Sequence, residues 1–119
     1  MSMEEANLRV TESNGATKIE FLERNILDEA NIQQIGDRII DVIESSPNPK
    51  VLISFRNVDH LSSAALGTLI TINDKIRRKE GQLRLTDINP QIYEVFVITK
   101  LNKVFQIHET AEEGMASFA

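Results

Sequence analysis

The segment Asp59-His60-Leu61-Ser62-Ser63-Ala64-Ala65-Leu66-Gly67 is where side chains capable of chemistry coincide with a structural signal. It follows a short apolar run, Lys50 to Phe55, and opens an amphipathic pattern. This places two hydroxyls at a helix N-terminus on the carboxyl edge of a parallel sheet. Open α/β sheets tend to bind ligands along that edge, and the free N–H groups and dipole of a helix start favour an anion. Ala64 and Ala65 keep the first turn small, so that a partner surface could approach closely. The plainer reading is that Ser62 or Ser63 is an N-cap, worth about 0.5–2 kcal/mol against alanine. One serine can cap while the other stays exposed, so the two readings are compatible.

Other chemistry is poorly represented. The chain has no cysteine, which removes disulfides, thiolate catalysis and cysteine metal sites. Its two histidines, His60 and His108, are far apart and form no His-x-x-x-His pair, so no metal site is expected. There is no Gly-x-x-x-x-Gly-Lys-Ser/Thr phosphate loop, no Gly-x-Gly-x-x-Gly fingerprint and no Gly-x-Ser-x-Gly elbow. Glu20, Glu23, Asp28 and Glu29 read as a solvated face rather than an acid–base pair. The serine pair lacks an evident base, so no catalytic residue and no cofactor is expected. A formal net charge of −5, from 13 Lys+Arg and 18 Asp+Glu, argues against general nucleic-acid binding. The acidic start MSMEEANLRV is no signal peptide and no run of 18 apolar residues occurs, so a cytoplasmic protein without membrane insertion is expected.

The elements that must position the serines follow from periodicity. Leu8–Glu12 and Thr17–Leu22 alternate around Ser13-Asn14-Gly15, predicting a β-hairpin with a type I′ turn. Ile32, Ile35, Ile39, Ile40 and Ile43 predict a helix over 28–44, with Asp28 as N-cap. Ser45-Ser46-Pro47-Asn48-Pro49 stops it, and Lys50–Phe55 suits a strand buried on both faces. A second helix runs from Ser62 to about Lys79, ended by Gly81. Leu83, Leu85 and Ile88 mark a fourth strand, Asn89-Pro90 a helix start, and Val104–Ile107 a short fifth strand. Thr110-Ala111-Glu112-Glu113 fits a capping box before a last helix. The basic run Lys75, Arg77, Arg78, Lys79 complements a helix C-terminus, with an acidic docking partner as the alternative. The expected fold is α/β: one domain over 1–119 with its core at about 8–118, a mostly parallel five-stranded mixed sheet, about four helices and an N-terminal hairpin.

The stretch Val51-Leu52-Ile53-Ser54-Phe55 through Leu61-Ser62-Ser63-Ala64-Ala65-Leu66-Gly67 resembles the STAS domain of anti-sigma-factor antagonists, whose pattern there is a buried strand followed by Asp-Ser-Ser/Thr-Gly-Leu-Gly. Gly81-Gln82-Leu83-Arg84-Leu85, Ile88-Asn89-Pro90-Gln91-Ile92-Tyr93-Glu94-Val95-Phe96 and Leu101-Asn102-Lys103-Val104-Phe105 resemble later family segments, so that the likeness spans roughly 8–118. The resemblance implies a non-enzymatic module that binds a serine-kinase-type anti-sigma factor. It implies release when the kinase phosphorylates Ser63, with Ser62 as the alternative acceptor, and resetting by a PP2C-type phosphatase. It also implies partner contacts at Asp28, Asn31, Ser62, Ser63, Ala64, Ala65 and Leu66. Two positions depart from the family: Ser62 replaces its usual Asp, and Ala65 replaces Gly, adding a methyl at the expected docking surface. STAS domains also serve transporters and stress-signalling complexes without phosphorylation, or bind nucleotides, and these remain alternative readings.

Overall fold

The computed structural model describes residues 2–5, 8–13, 15–21, 29–59 and 61–118. The expected hairpin is strands β2 (Leu8–Ser13) and β3 (Ala16–Phe21), antiparallel and closed by the Ser13–Ala16 pair. Gly15 in its loop has φ +80°, the left-handed conformation that a tight hairpin turn demands; Asn14 lies outside the described residues. The Leu8–Phe21 and Val10–Ile19 pairs put the apolar side chains on one face.

Beyond the hairpin, β4 (Lys50–Ser54), β5 (Gln82–Thr86) and β6 (Gln106–His108) continue the sheet in parallel. A further strand, β1 (Ser2–Glu5), pairs antiparallel with β2, so the expected five strands are present within a six-stranded sheet. Pairing at an edge needs only main-chain groups, and Ser2-Met3-Glu4-Glu5 carries no period-two apolar signal by which to foresee it. The last strand also begins later than Val104. Lys100 is left-handed at φ +63°, Leu101–Lys103 forms one 3₁₀ turn, and the Val104 and Phe105 amides close on the Leu101 carbonyl before the strand starts.

The sheet order follows the chain, β1-β2-β3-β4-β5-β6. Each parallel strand is therefore the neighbour of the next, and right-handed crossovers place α1 (Glu29–Glu44), α2 (Ser63–Arg78) and α3 (Pro90–Ile98) on one face. Their apolar stripes, including Ile35, Ile39, Ile72, Ile76 and Phe96, meet Ile19, Ile53 and Leu85 in one core. This arrangement has no strand-order reversal, and so none of the crevices that such a reversal opens.

The opposite face receives α4 (Ala111–Ala116). Gly114 lets it sit close, since a Cβ there would approach Leu52 Cδ1 and Thr86 Cγ2 to 2.7 Å. Beneath it Arg84 is 6% exposed. Its Nε donates to Ser117 Oγ (2.6 Å), Nη1 to the Leu83 carbonyl, and Nη2 to Gln82 Oε1 and the Ser117 carbonyl. The guanidinium lies 5.0 Å from the Phe118 ring centroid. Desolvation lowers the Arg84 pKa from its ordinary value.

At the amino edge, the basic run has structural work. Lys79 Nζ reaches across to donate to the Ile43 and Glu44 carbonyls at 3.1 Å each, capping the C-terminus of α1. Lys75 pairs with Glu44 and Arg78 with Asp74. Glu80, rather than Gly81, takes the left-handed position after α2, with φ +58°. Gly81 is needed for a different reason: a side chain there would run into the Pro49 carbonyl oxygen.

Candidate functional site

The two serines differ in what their hydroxyls do. Ser62 is the N-cap of α2, extended at φ −76° and ψ 164°, and its Oγ accepts from the Ala65 amide at 3.1 Å. Its carbonyl accepts from the Leu66 amide, also at 3.1 Å. The Ser62 side chain thus satisfies one of the four amides that open the helix, its carbonyl accepts the first regular helical bond, and its side chain is half-buried. Ser63 is the first helical residue and is exposed. No hydrogen bond engages its hydroxyl among the described residues. The Ser63 and Ala64 amides likewise meet no acceptor among them, and the first turn carries no acidic side chain. Among the described residues the site is therefore an exposed hydroxyl beside two N–H groups without an acceptor, at the positive end of a helix of 16 residues.

The departures from the family pattern acquire a physical meaning here. Ser62 supplies the capping oxygen that an aspartate would supply, without its charge. Ala65 is 0% exposed and lies in the core with Leu69, Ile72 and Ile76. Its methyl is buried in the core, whereas the family resemblance implied a partner contact at this position. Helical periodicity explains this, because Ala65 shares the face of Leu69 and Ile72. Ala64 and Leu66 are half-buried, and Leu66 leans on the core. Asn31 falls in the first turn of α1, with its side chain outside the described set. Asp28 and His60 lie outside the described residues.

Beside Ser63 a shallow groove of about 430 Å³ runs between α1 and α2, floored by Gly36, Ala64, Gly67, Thr68 and Thr71 and edged by Gln33 and Asp37. Gly36 sets the helix spacing: a Cβ there would come within 2.8 Å of Thr68 Cγ2. Gly67 differs, since a Cβ on it would meet nothing within 4 Å. The groove residues of α1 were not foreseen, although Gly36 among four core isoleucines is the sequence mark of a close approach.

The carboxyl edge has a second helix start. Asn89 caps α3 by accepting from the Ile92 amide at 2.8 Å, with Pro90 at the first helical position. Its Nδ2 donates to the Val58 carbonyl, in the loop that leads to Ser62. His108 ends β6, half-buried. Among the described residues no group of three His, Cys, Asp or Glu side chains is placed to hold a metal ion, and no helix is long and apolar enough to cross a membrane.

A mixed sheet with three helices on one face, and a serine-bearing helix start at its carboxyl edge, defines a recognisable class. The STAS domain pattern matches residues 8–114, and the chain belongs to the STAS domain family. It is 23% identical over 95 residues to BtrV of Bordetella bronchiseptica, a protein named for a proposed role as an anti-sigma factor antagonist; the match covers 80% of this chain and 81% of that one. Its fold is similar to that of an anti-sigma-factor antagonist (STAS) domain protein from Planctomyces limnophilus, with TM-score 0.82 and 23% identity, covering 92% of this chain and 96% of the other. It is also similar to the Bacillus cell fate determinant SpoIIAA, solved in a phosphorylated form, with TM-score 0.69, 17% identity and coverage of 92% and 96%.

Proposed function

We propose that this chain is an anti-sigma-factor antagonist that binds a serine-kinase-type anti-sigma factor through the start of α2 and the α1–α2 groove. The kinase phosphorylates Ser63, the complex dissociates, and a PP2C-type phosphatase restores the hydroxyl. The observation that carries this reading is the division of labour between the serines. Ser62 spends its oxygen on the Ala65 amide, whereas Ser63 presents a free hydroxyl. The antagonist role proposed for BtrV and the existence of a phosphorylated form of SpoIIAA support it.

The physical switch is electrostatic. Phosphorylation brings about −1.5 to −2 charge and three acceptor oxygens. The open Ser63 and Ala64 amides and the helix dipole tolerate that charge, so the domain stays folded. A partner surface shaped for a neutral hydroxyl must desolvate it instead, and loses affinity. A differential of a few kcal/mol suffices to empty the complex.

The test is phosphate incorporation with the cognate kinase, followed by peptide mapping of wild type, Ser63→Ala and Ser62→Ala. Labelling is expected to vanish in Ser63→Ala and to persist in Ser62→Ala. Unchanged labelling of both variants would sink the proposal. Ser63→Asp is expected to keep the wild-type circular dichroism spectrum while binding the kinase at least ~100-fold more weakly.

A further inference from the structure

Arg84 is a buried cation whose charge is left uncompensated. Its hydrogen bonds all end on neutral acceptors: Ser117 Oγ, the Leu83 carbonyl, Gln82 Oε1 and the Ser117 carbonyl. No carboxylate pairs with it among the described residues. A guanidinium has five N–H donors, so one N–H on Nη1 is still unspent. A cation held out of water without an opposite charge is costly, and an anion beside it offsets that cost. Such a space adjoins Arg84. Because β6 begins at Gln106, Gln82 and Leu83 of β5 pair with β4 on one side and have no partner in β6 on the other. The gap is a concavity of about 320 Å³, bordered by Arg84, Asn73, Arg77 and Gln106. Arg77 and Arg84 are its charged lining residues, and no acidic side chain lines it. No hydrogen bond or ion pair engages the side chains of Arg77, Asn73 or Gln106 among the described residues. The Gln82 amide turns toward β4, where it donates to Pro49; alternation turns the Leu83 amide into the gap, and it meets no main-chain acceptor among the described residues.

We propose that this gap at the amino edge of the sheet binds a phosphate group, with Arg77 and Arg84 as its cationic walls and Asn73, Gln106 and the Leu83 amide as neutral donors. Guanidinium N–H groups fit the oxygens of an oxyanion in pairs, and two cations suit a doubly charged anion. The carbonyls that end α2 do not oppose it, because those of Lys75, Ile76 and Arg77 accept from the Lys79, Glu80 and Gly81 amides. Free phosphate and a small phosphate monoester share this chemistry. The site uses neither Ser63 nor the α1–α2 groove, and stands independently of the proposed phosphorylation.

Nitrogen–proton correlation spectra of the full chain read binding directly. The chain is titrated with inorganic phosphate and, separately, with glycerol phosphate, each against sodium chloride at equal ionic strength. Saturable shifts are expected at the Leu83 and Gln106 amides and at the arginine side-chain N–H groups. Tighter binding of glycerol phosphate assigns the site to a phosphorylated small molecule, and equal or tighter binding of inorganic phosphate assigns it to the free anion. Arg84 also holds α4, so Arg77 is the residue to substitute. Arg77→Gln is expected to weaken binding at least ~tenfold. The Arg77 side chain is exposed, so the variant folds, which circular dichroism verifies. The absence of saturable shifts overturns the proposal, as do shifts centred on the Ser63 and Ala64 amides or an affinity indifferent to Arg77→Gln.

Discussion

Of the helices that start at the carboxyl edge of the parallel strands, α2 and α3 share their capping chemistry and differ in what the next residue exposes. At α3, Asn89 uses both ends of its amide: the oxygen caps Ile92 and the nitrogen holds Val58. Proline at the first helical position carries no N–H, so this start has one amide fewer to satisfy than α2 has. At α2, Ser62 caps Ala65, and the next residue is a serine that is exposed and whose N–H meets no acceptor among the described residues. The first start is built into the fold. The second is left available, and the difference lies in two residues, Pro90 against Ser63.

Substitutions that would break this contrast rank clearly. Asn89→Ala removes a cap and a tether together and leaves the Val58 carbonyl short of a donor. It should lower unfolding free energy by about 2 kcal/mol in urea titration. Ser62→Ala removes a single cap, with an expected loss of about 1 kcal/mol by the same measurement. Equal losses for the two variants would erase the distinction between closed and open starts. Gly67→Ala acts in the opposite direction: its methyl meets nothing, so the helix should gain up to about 1 kcal/mol. The same methyl enters the proposed docking groove, and partner binding should weaken in a pull-down or titration. Ser63→Ala should change stability least, by under about 0.5 kcal/mol, because its hydroxyl supports nothing within the domain. A large loss there would show that Ser63 is structural after all.

Much of this was legible in the chain. Asn89-Pro90 and Thr110 announced their helices, and both N-caps form; of the capping box expected at Thr110–Glu113, the Thr110 Oγ1 bond from the Glu113 amide is the half seen among the described residues. The isoleucine stripe of α1 and the alternation of β2 and β3 likewise set their buried faces. The two roles of the serine pair were left open, because a cap and an exposed hydroxyl need the same residue type and differ only in one backbone position. Arg84 shows the other kind of gap. It alternates with Leu83 and Leu85 as a solvent-facing residue would, yet it is buried, because α4 folds over that face and ends on its guanidinium. A contact made 33 residues away leaves no local mark.

The clasp of Lys79 on the last carbonyls of α1 lies at the far end of the groove from Ser63. Together with the Gly36–Thr68 approach, it fixes two helices that would otherwise be free to splay. A groove held in this way is preorganised: a partner need not order it, and little conformational entropy is lost on docking. Under the proposed switch, a charge added at Ser63 would leave this groove in place and act on the partner's side of the contact.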